Sequence, residues 1–212
     1  MGEAETYAAR LRVDYPDRLD RTTTLLRVFW IIPIAIVLGL ISASGGTRVV
    51  TQTGETVRSS GGGILGALAV ATALMILFRQ RYPRWWFDFA RELVRFTARV
   101  GAYAALLTDA YPSTVDEQFV HVEIDYPNVE QDLNRWLPLV KWFLAIPHYI
   151  VLAVLGIAAV VAIVIAWFAI VFTGRYPKLL FDFVVGVGRW ALRVNAYAVL
   201  LVTDRYPPFT MA

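Results

Sequence analysis

The sequence contains no cysteine among its 212 residues, so disulfide bonds, thiolate metal ligands and a cysteine nucleophile are excluded. It has only two histidines, His121 and His148, and they are too far apart for a helical zinc-binding motif. A phosphate-binding loop, a dinucleotide fingerprint and a Ser-His-Asp order are also missing. We therefore expect a protein that is not an enzyme, with no catalytic residues, no metal and no cofactor.

Charge is scarce as well. Charged residues make up 17% of the chain, below the roughly 25% of a typical soluble domain, whereas hydrophobic residues make up 58%. Apolar runs cover residues 25–43, 62–78 and 136–172. A bilayer crossing needs about 20 apolar residues, so the third run is long enough for two crossings. The sequence predicts a mainly α, integral membrane fold with four transmembrane helices, at about 25–43, 62–78, 137–155 and 157–173, with a turn near Gly156.

Several motifs occur twice. "RYPRWWFDF" begins at Arg81 and "RYPKLLFDF" at Arg175, "VDYP" matches "IDYP", and "AYAALLTDAYP" matches "AYAVLLVTDRYP". Such self-similarity indicates an internal duplication. We assign a first repeat to residues 1–112 and a second to 113–212, each with two transmembrane helices. The first repeat carries a polar insertion at 44–61.

Two kinds of β structure are expected. The segments "RLRVDYP" and "VHVEIDYP" begin the two repeats and alternate apolar with polar residues, as half-buried strands do. We expect them to pair with each other in a small sheet; two separate extended arms along the membrane surface are the alternative. The alternation around Gly54 predicts a polar hairpin within the insertion.

Basic residues are distributed unevenly. Arg48 and Arg58 are the only ones in the insertion, and the link between the third and fourth predicted spans has none. The positive-inside rule therefore predicts cytoplasmic N and C termini and a hairpin outside the cell. Arg27 and Lys141 fall in the first turns of their spans, where long side chains can extend back toward the cytoplasmic surface.

The segments 84–107 and 178–202 are predicted to be interfacial amphipathic helices. Several charges near the middle of each disfavour a crossing, at about 2.5–3.5 kcal/mol per charge, whereas a basic amphipathic helix is stable at headgroup level. The candidates for contact with anionic headgroups, or for a structural role, are Asp88, Arg95, Arg99, Asp182, Arg189 and Arg193.

Four polar residues have alternative interpretations. We expect Asp88 and Asp182, each between two phenylalanines, to form ion pairs with nearby basic residues; a carboxylate that handles protons or cations at the mouth of a pathway is the alternative. Lys141 and His148 are the intramembrane polar candidates. We expect His148 to bond a hydroxyl or carbonyl group, with a proton relay as the alternative.

The order DYP, apolar run, RYPxxxFDF and AY…TD-x-YP resembles an uncharacterised family of bacterial membrane proteins, abundant in actinobacteria and described as a domain of unknown function. The resemblance extends from about Val13 to Pro207, and the insertion at 44–61 departs from it. It implies a bacterial inner-membrane protein and supplies no activity.

Two classes of function remain. The first is a non-enzymatic accessory, assembly or lipid-organising module that contacts anionic lipid through its interfacial helices. The second is an oligomeric channel or transporter subunit, for which the predicted spans offer few polar residues. Membrane lipid, a second copy of the chain or a membrane complex are the expected partners, and nucleic acid is not.

Overall fold

The computed structural model of the protein describes residues 7–42, 47–50, 56–59, 63–113 and 119–212. The chain is mostly helical, with two small pairs of strands. In chain order the elements are β1 (Ala9–Val13), α1 (Arg21–Ser42), β2 (Thr47–Val50), β3 (Thr56–Ser59), α2 (Gly63–Arg79), α3 (Arg84–Ala104), β4 (Val120–Ile124), α4 (Val129–Asp132), α5 (Leu137–Leu144), α6 (Ile146–Thr173) and α7 (Lys178–Ala198).

The strands that begin the two repeats pair with each other, as the alternation predicts. β1 and β4 are antiparallel, with Leu11 opposite Val122 at the centre of the register. One face of β4 is buried and apolar, and the other is exposed and polar. The exposed side of the pair, here called the charged face, consists of Arg10, Arg12, His121 and Glu123.

This pairing relates the two repeats by an approximate twofold rotation. Leu11 and Val122 occupy the same place relative to the two DYP motifs, and they face each other across the sheet. An antiparallel pair centred on equivalent residues has a twofold axis between them. The contacts that surround the strands therefore occur in equivalent sets.

The third apolar run forms one helical segment with no turn near its middle. α5 and α6 together form a 37-residue apolar segment, Leu137–Thr173, and α6 continues through Gly156, so the predicted turn there is wrong. A single glycine weakens a helix by only about 1 kcal/mol and does not end it. The helix ends instead at Gly174, whose φ of 72° forms a left-handed C-cap.

The first repeat has the same path with an interruption. α1 is bent by 49° between Arg21–Arg27 and Phe29–Gly39. Pro33 lies inside α1 beyond this bend, where it removes the helical hydrogen bond to the carbonyl group of Phe29. β2 and β3 pair antiparallel between α1 and α2, which confirms the predicted hairpin; its tip at 51–55 lies outside the described residues.

Equivalent residues show how the helices correspond. Pro33 of α1 matches Pro147 of α6, and the RYP motif follows both α2 and α6. Each repeat thus contains one apolar helical segment: α5 with α6 in the second repeat, and α1 with α2 in the first, where the hairpin of β2 and β3 separates them. Within the described ranges, one helix is long and apolar enough to cross a membrane, or two if the bent α1 is a single span. Four transmembrane helices are not confirmed.

Three layers lie side by side: α5 with α6, then α7, and then the strand pair that the two repeats form together. α7 returns antiparallel along α6 and α5: it starts just beyond Gly174, its Trp190 bonds His148, and its Ala198 carbonyl accepts from Trp142. β1 in turn lies along α7, from Phe181 near one end to Arg189 further along. The charged face therefore lies along α7 on the side away from α6.

Candidate functional site

The DYP and RYP motifs join the two repeats to each other. Tyr15 of the first repeat donates to the carbonyl oxygen of Tyr176 in the second at 2.5 Å. The equivalent Tyr126 of the second repeat donates to the carbonyl oxygen of Tyr82 in the first. Burial raises the pKa of Tyr82 and Tyr176 to about 12 each. The paired motifs therefore form two equivalent contacts between the repeats. We call these contacts the clasps: Tyr15 with Tyr176, and Tyr126 with Tyr82.

The first phenylalanine of each FDF motif belongs to the same clasps. Phe87 packs edge-to-face on Tyr126 with ring centroids 5.1 Å apart, and Phe181 packs on Tyr15 at 5.0 Å. A cation covers each tyrosine ring as well: Arg84 lies over Tyr126 and Lys178 over Tyr15, both at 5.0 Å. This explains why the RYP and FDF motifs recur together.

Asp88 and Asp182 lie on the outside of these clasps. Asp88 pairs with Arg91 at 3.2 Å, and Asp182 pairs with Lys178 at 3.0 Å. Both carboxylates are well exposed, at 46% and 59% of the side chain. The structure thus contains the helical ion pairs that the sequence predicted for them.

Asparagine at these two positions is expected to have little effect. Exposed helical ion pairs contribute about 0.3–0.5 kcal/mol each, so the Asp88→Asn, Asp182→Asn double variant should lose no more than about 1 kcal/mol of unfolding free energy. Denaturant unfolding of the purified protein measures this. A loss several times larger would indicate a role for the carboxylates beyond these pairs.

Arg95 and Arg189 connect the helices to the strand pair. Arg95 of α3 donates from Nε to the carbonyl oxygen of Val122 at 3.0 Å, and Arg189 of α7 donates to that of Leu11 at 3.1 Å. The two acceptors are the central residues of the register. Each arginine therefore fixes a strand from the other repeat.

Arg99 and Arg193 bond the chain segments that follow their helices. Arg99 donates to the carbonyl oxygen of Ser113 at 2.7 Å. Arg193 is only 2% exposed and donates to the carbonyl oxygens of Thr210 and Ala212 at 3.0 and 2.6 Å. Burial lowers the pKa of Arg193. For Arg193 this placement favours the structural alternative over headgroup contact.

Lys141 lies in a buried ion pair. Its side chain is 0% exposed, and Nζ lies 2.8 Å from Oδ1 of Asp204 and 2.7 Å from the carbonyl oxygen of Thr203. The ammonium group also lies over the ring of Tyr197, 5.1 Å from its centroid. The predicted extension of Lys141 toward the cytoplasmic surface stays a prediction; the structure shows that its side chain ends at a protein carboxylate.

Arg27 occupies the equivalent place in the first repeat. It pairs with Asp109 and donates to the carbonyl oxygens of Tyr103 and Thr108 at 2.9 and 3.0 Å. Its guanidinium group lies 4.4 Å from the ring centroid of Tyr103. Arg27 is also buried, and its predicted extension toward the cytoplasmic surface likewise stays a prediction.

The same two aspartates hold the start of the apolar helices. Oδ2 of Asp109 accepts the backbone N–H of Asp20 at 2.7 Å, and Oδ2 of Asp204 accepts that of Asn134 at 2.5 Å. Each carboxylate thus joins a buried cation to the chain just before its helix. We call these two sets the cation nodes: Arg27, Tyr103 and Asp109 in the first repeat, and Lys141, Tyr197 and Asp204 in the second.

A leucine in the left-handed backbone conformation lies three residues before each aspartate, in the loop that returns the chain toward the buried cation. Leu106 and Leu201 have φ values of 64° and 57°, which costs roughly 1–2 kcal/mol for a residue with a side chain. The aspartates and tyrosines of the cation nodes are not among the candidate residues that the sequence predicts. The repeated AY…TD-x-YP motif, together with the alignment of Arg27 with Lys141, carried the signal.

His148 differs from its counterpart in the first repeat. Its Nδ1 accepts a hydrogen bond from Trp190 at 3.1 Å, and its ring stacks on Phe209 with centroids 4.0 Å apart. In the first repeat, Ile34 stands in the place of His148 and packs on Phe96, which stands in the place of Trp190. The buried Nε2 of His148 has no hydrogen-bond partner in the part of the chain that the structure describes. The expected hydroxyl or carbonyl partner of His148 is therefore wrong, because the described partner is the indole N–H of Trp190; the alternative of a proton relay stays untested.

Within the described residues, no group of three or more histidines, aspartates and glutamates could hold a metal ion.

The family model of the domain of unknown function DUF4389 matches residues 56–115 and 136–211, which is more than half of the chain. No curated protein and no solved structure matches the sequence.

Proposed function

Because the chain belongs to the DUF4389 family, whose description names no activity, we propose from its own geometry that it is a non-enzymatic, lipid-organising module of the bacterial inner membrane. In this proposal the charged face and both termini lie in the cytoplasm, and the apolar helices lie in the inner leaflet. The buried polar groups support a structural role, since those of the cation nodes are occupied in holding the chain.

The exposure of α5 and α6 carries the proposal. Only 17% of their most apolar window is buried, whereas the core helix of a soluble protein would be mostly buried. Large apolar patches on a soluble surface indicate contact with a membrane or a partner. We call the exposed apolar side chains of α1, α2, α5 and α6 the apolar face. They include Phe29, Ile36, Phe78, Ile150, Ile157, Val161, Ile165 and Phe172.

The layered packing supports a position along the membrane surface. α7 lies along α6, and the segment from Tyr7 to Tyr15, which contains β1, extends from Arg205 after α7 to Tyr176 after α6. With α6 perpendicular to the bilayer, Arg10, Arg12 and Glu123 of this layer would lie within the hydrocarbon. Each charge there costs about 2.5–3.5 kcal/mol on insertion scales. The 37 residues also extend about 55 Å, against about 30 Å of hydrocarbon. We therefore propose this position in place of four crossings.

Anionic lipid is the proposed partner, held where the apolar helices meet the charged layers. Trp85 and Trp136 are 68% and 66% exposed, as suits an aromatic belt at headgroup level. Basic residues near the surface contribute about 1 kcal/mol each toward anionic lipid. The exposed basic residues in this zone are Arg79, Arg81, Arg84, Arg135, Arg175 and Lys178.

Single cysteines test the position, since the natural chain has none. We would place one at Gln131 before α5, one at Ile157 in the middle of α6, and one at Arg175 after it, and label spheroplasts with a polar maleimide before and after permeabilisation. We expect Gln131→Cys and Arg175→Cys to react only after permeabilisation. Ile157→Cys should stay unlabelled in both conditions, because lipid covers it.

The other arrangements give different patterns. One crossing by α6 would expose Gln131→Cys and Arg175→Cys on opposite sides of the membrane. Two tight crossings would expose Ile157→Cys from outside. Either pattern would contradict the proposed position, and labelling of all three cysteines in denatured protein is the control for their reactivity.

A further inference from the structure

A cavity of about 380 Å³, partly open to the surface at Gly101 and Ala191, lies between α3 and α7, on the side of the strand pair opposite the charged face. Leu11 and Val120 close it from the strands, and Ala159 of α6 reaches it from the apolar layer. Gly101 and Asn195, which are equivalent residues of the two repeats, line it from α3 and α7. The cavity therefore lies near the pseudo-twofold axis.

Small residues keep this space open. Ala98, Gly101 and Ala105 line it from α3, and Gly188 and Ala191 line it from α7. A Cβ atom at Gly101 would find nothing within 4 Å. Because the cavity is partly open, its apolar walls stay exposed unless a molecule covers them, and exposed apolar area costs about 25 cal/mol per Å².

The lining determines what can fill the cavity. Most of its wall is apolar, so the cavity offers water few hydrogen-bond partners. Thr97 lines it too, but its hydroxyl donates to the carbonyl oxygen of Leu93. Asn195 contributes a buried Oδ1 atom with no hydrogen-bond partner among the residues that the structure describes. An occupant should therefore be apolar along most of its length.

The remaining segments of the chain do not fit this description. Residues 1–6 and 114–118 lie outside the described ranges, and each contains two acidic residues. Lipid is the apolar molecule at hand if the apolar face lies in a leaflet, because Ala159 belongs both to α6 and to the cavity wall. We infer that the cavity holds one acyl chain of a membrane lipid. This inference rests on the proposed membrane location.

Native mass spectrometry of the full-length protein, purified from membranes in mild detergent, tests the inference. Gly101→Leu and Ala98→Leu place extra carbon atoms in the cavity from two positions on α3. Gly156→Leu is the matched control, because its Cβ also meets nothing within 4 Å and the residue lies in α6 away from the cavity lining. We expect one phospholipid to remain on the wild type and on Gly156→Leu.

Each filling variant should lower the fraction with bound phospholipid by about tenfold, which corresponds to about 1.4 kcal/mol. Equal retention in all four proteins would overturn the inference. So would a wild-type mass that shows no lipid, a different small molecule or only a dimer of the chain. Circular dichroism identifies a variant that fails to fold, and the second filling variant then decides.

Carbonate extraction of membranes, done on the same four proteins, separates this result from the proposed function. Membrane attachment should be unchanged by the filling variants, because the apolar face remains intact. If carbonate releases the wild type from the membrane but the protein still retains a phospholipid, the proposed membrane position is contradicted and the cavity assignment is not. Attachment with equal lipid retention in all four proteins would contradict the cavity assignment alone.

Discussion

The Asp204→Asn variant should lose about 3 kcal/mol of unfolding free energy. The substitution leaves the ammonium group of Lys141 buried beside a neutral amide, and the loss of one partner from a buried ion pair typically costs about 3–5 kcal/mol. We expect the lower end of that range, because the Asp204 side chain keeps 21% of its surface exposed. The new amide still accepts the N–H of Asn134 if its oxygen takes the place of Oδ2.

Two further variants show whether the buried charge is the cause. Lys141→Met in the Asp204→Asn background removes the uncompensated ammonium group and should recover part of the loss, since such pairs are not additive. Asp182→Asn breaks an exposed pair and serves as the control. Denaturant unfolding in one detergent compares all four proteins. If Asp204→Asn loses no more than Asp182→Asn, the cation node is not a determinant of stability.

The Arg193→Gln variant should lose about 2–3 kcal/mol and release the C-terminal segment 205–212. The guanidinium group of Arg193 holds two carbonyl oxygens of this segment, and hydrogen bonds to a charged group contribute about 1.5–3 kcal/mol each before the shorter glutamine replaces some of them. Phe209 on His148 and Met211 near Gly186 should lose their packing in the same step. Limited proteolysis of the purified protein detects the released segment.

Lipid retention distinguishes this structural role from headgroup contact. Arg193→Gln should leave bound anionic lipid unchanged, whereas Arg81→Gln, at an exposed site after α2, should reduce it with little change in stability. The lipid effect should also weaken in high salt, since salt screens exposed charges. Lipid loss from Arg193→Gln with an intact C-terminal segment would contradict the assignment of Arg193 as a structural residue.

Local patterns in the sequence determined the parts of the fold that depend on neighbouring residues. Alternation predicted β1, β4 and the hairpin, and apolar or amphipathic periodicity predicted the helices. The repeated motifs predicted a duplication, and the ion pairs of Asp88 and Asp182 followed from helical spacing. Each of these needs only residues within a few positions of one another, or a comparison of the chain with itself.

Only the tertiary structure decided how the two repeats meet and which residues they bring together. Run length allowed a turn near Gly156, but the uninterrupted packing of α6 along α7 favours a single helix, and glycine alone cannot end it. The partners of Arg27 and Lys141 lie far along the sequence, in loops that left-handed leucines turn back toward the helices. Periodicity gives the face of a helix on which a cation lies, but it does not give the distant carboxylate that packing places there. The proposed membrane position has the same origin, because the layers of charged strand and apolar helix exist only once the chain has folded.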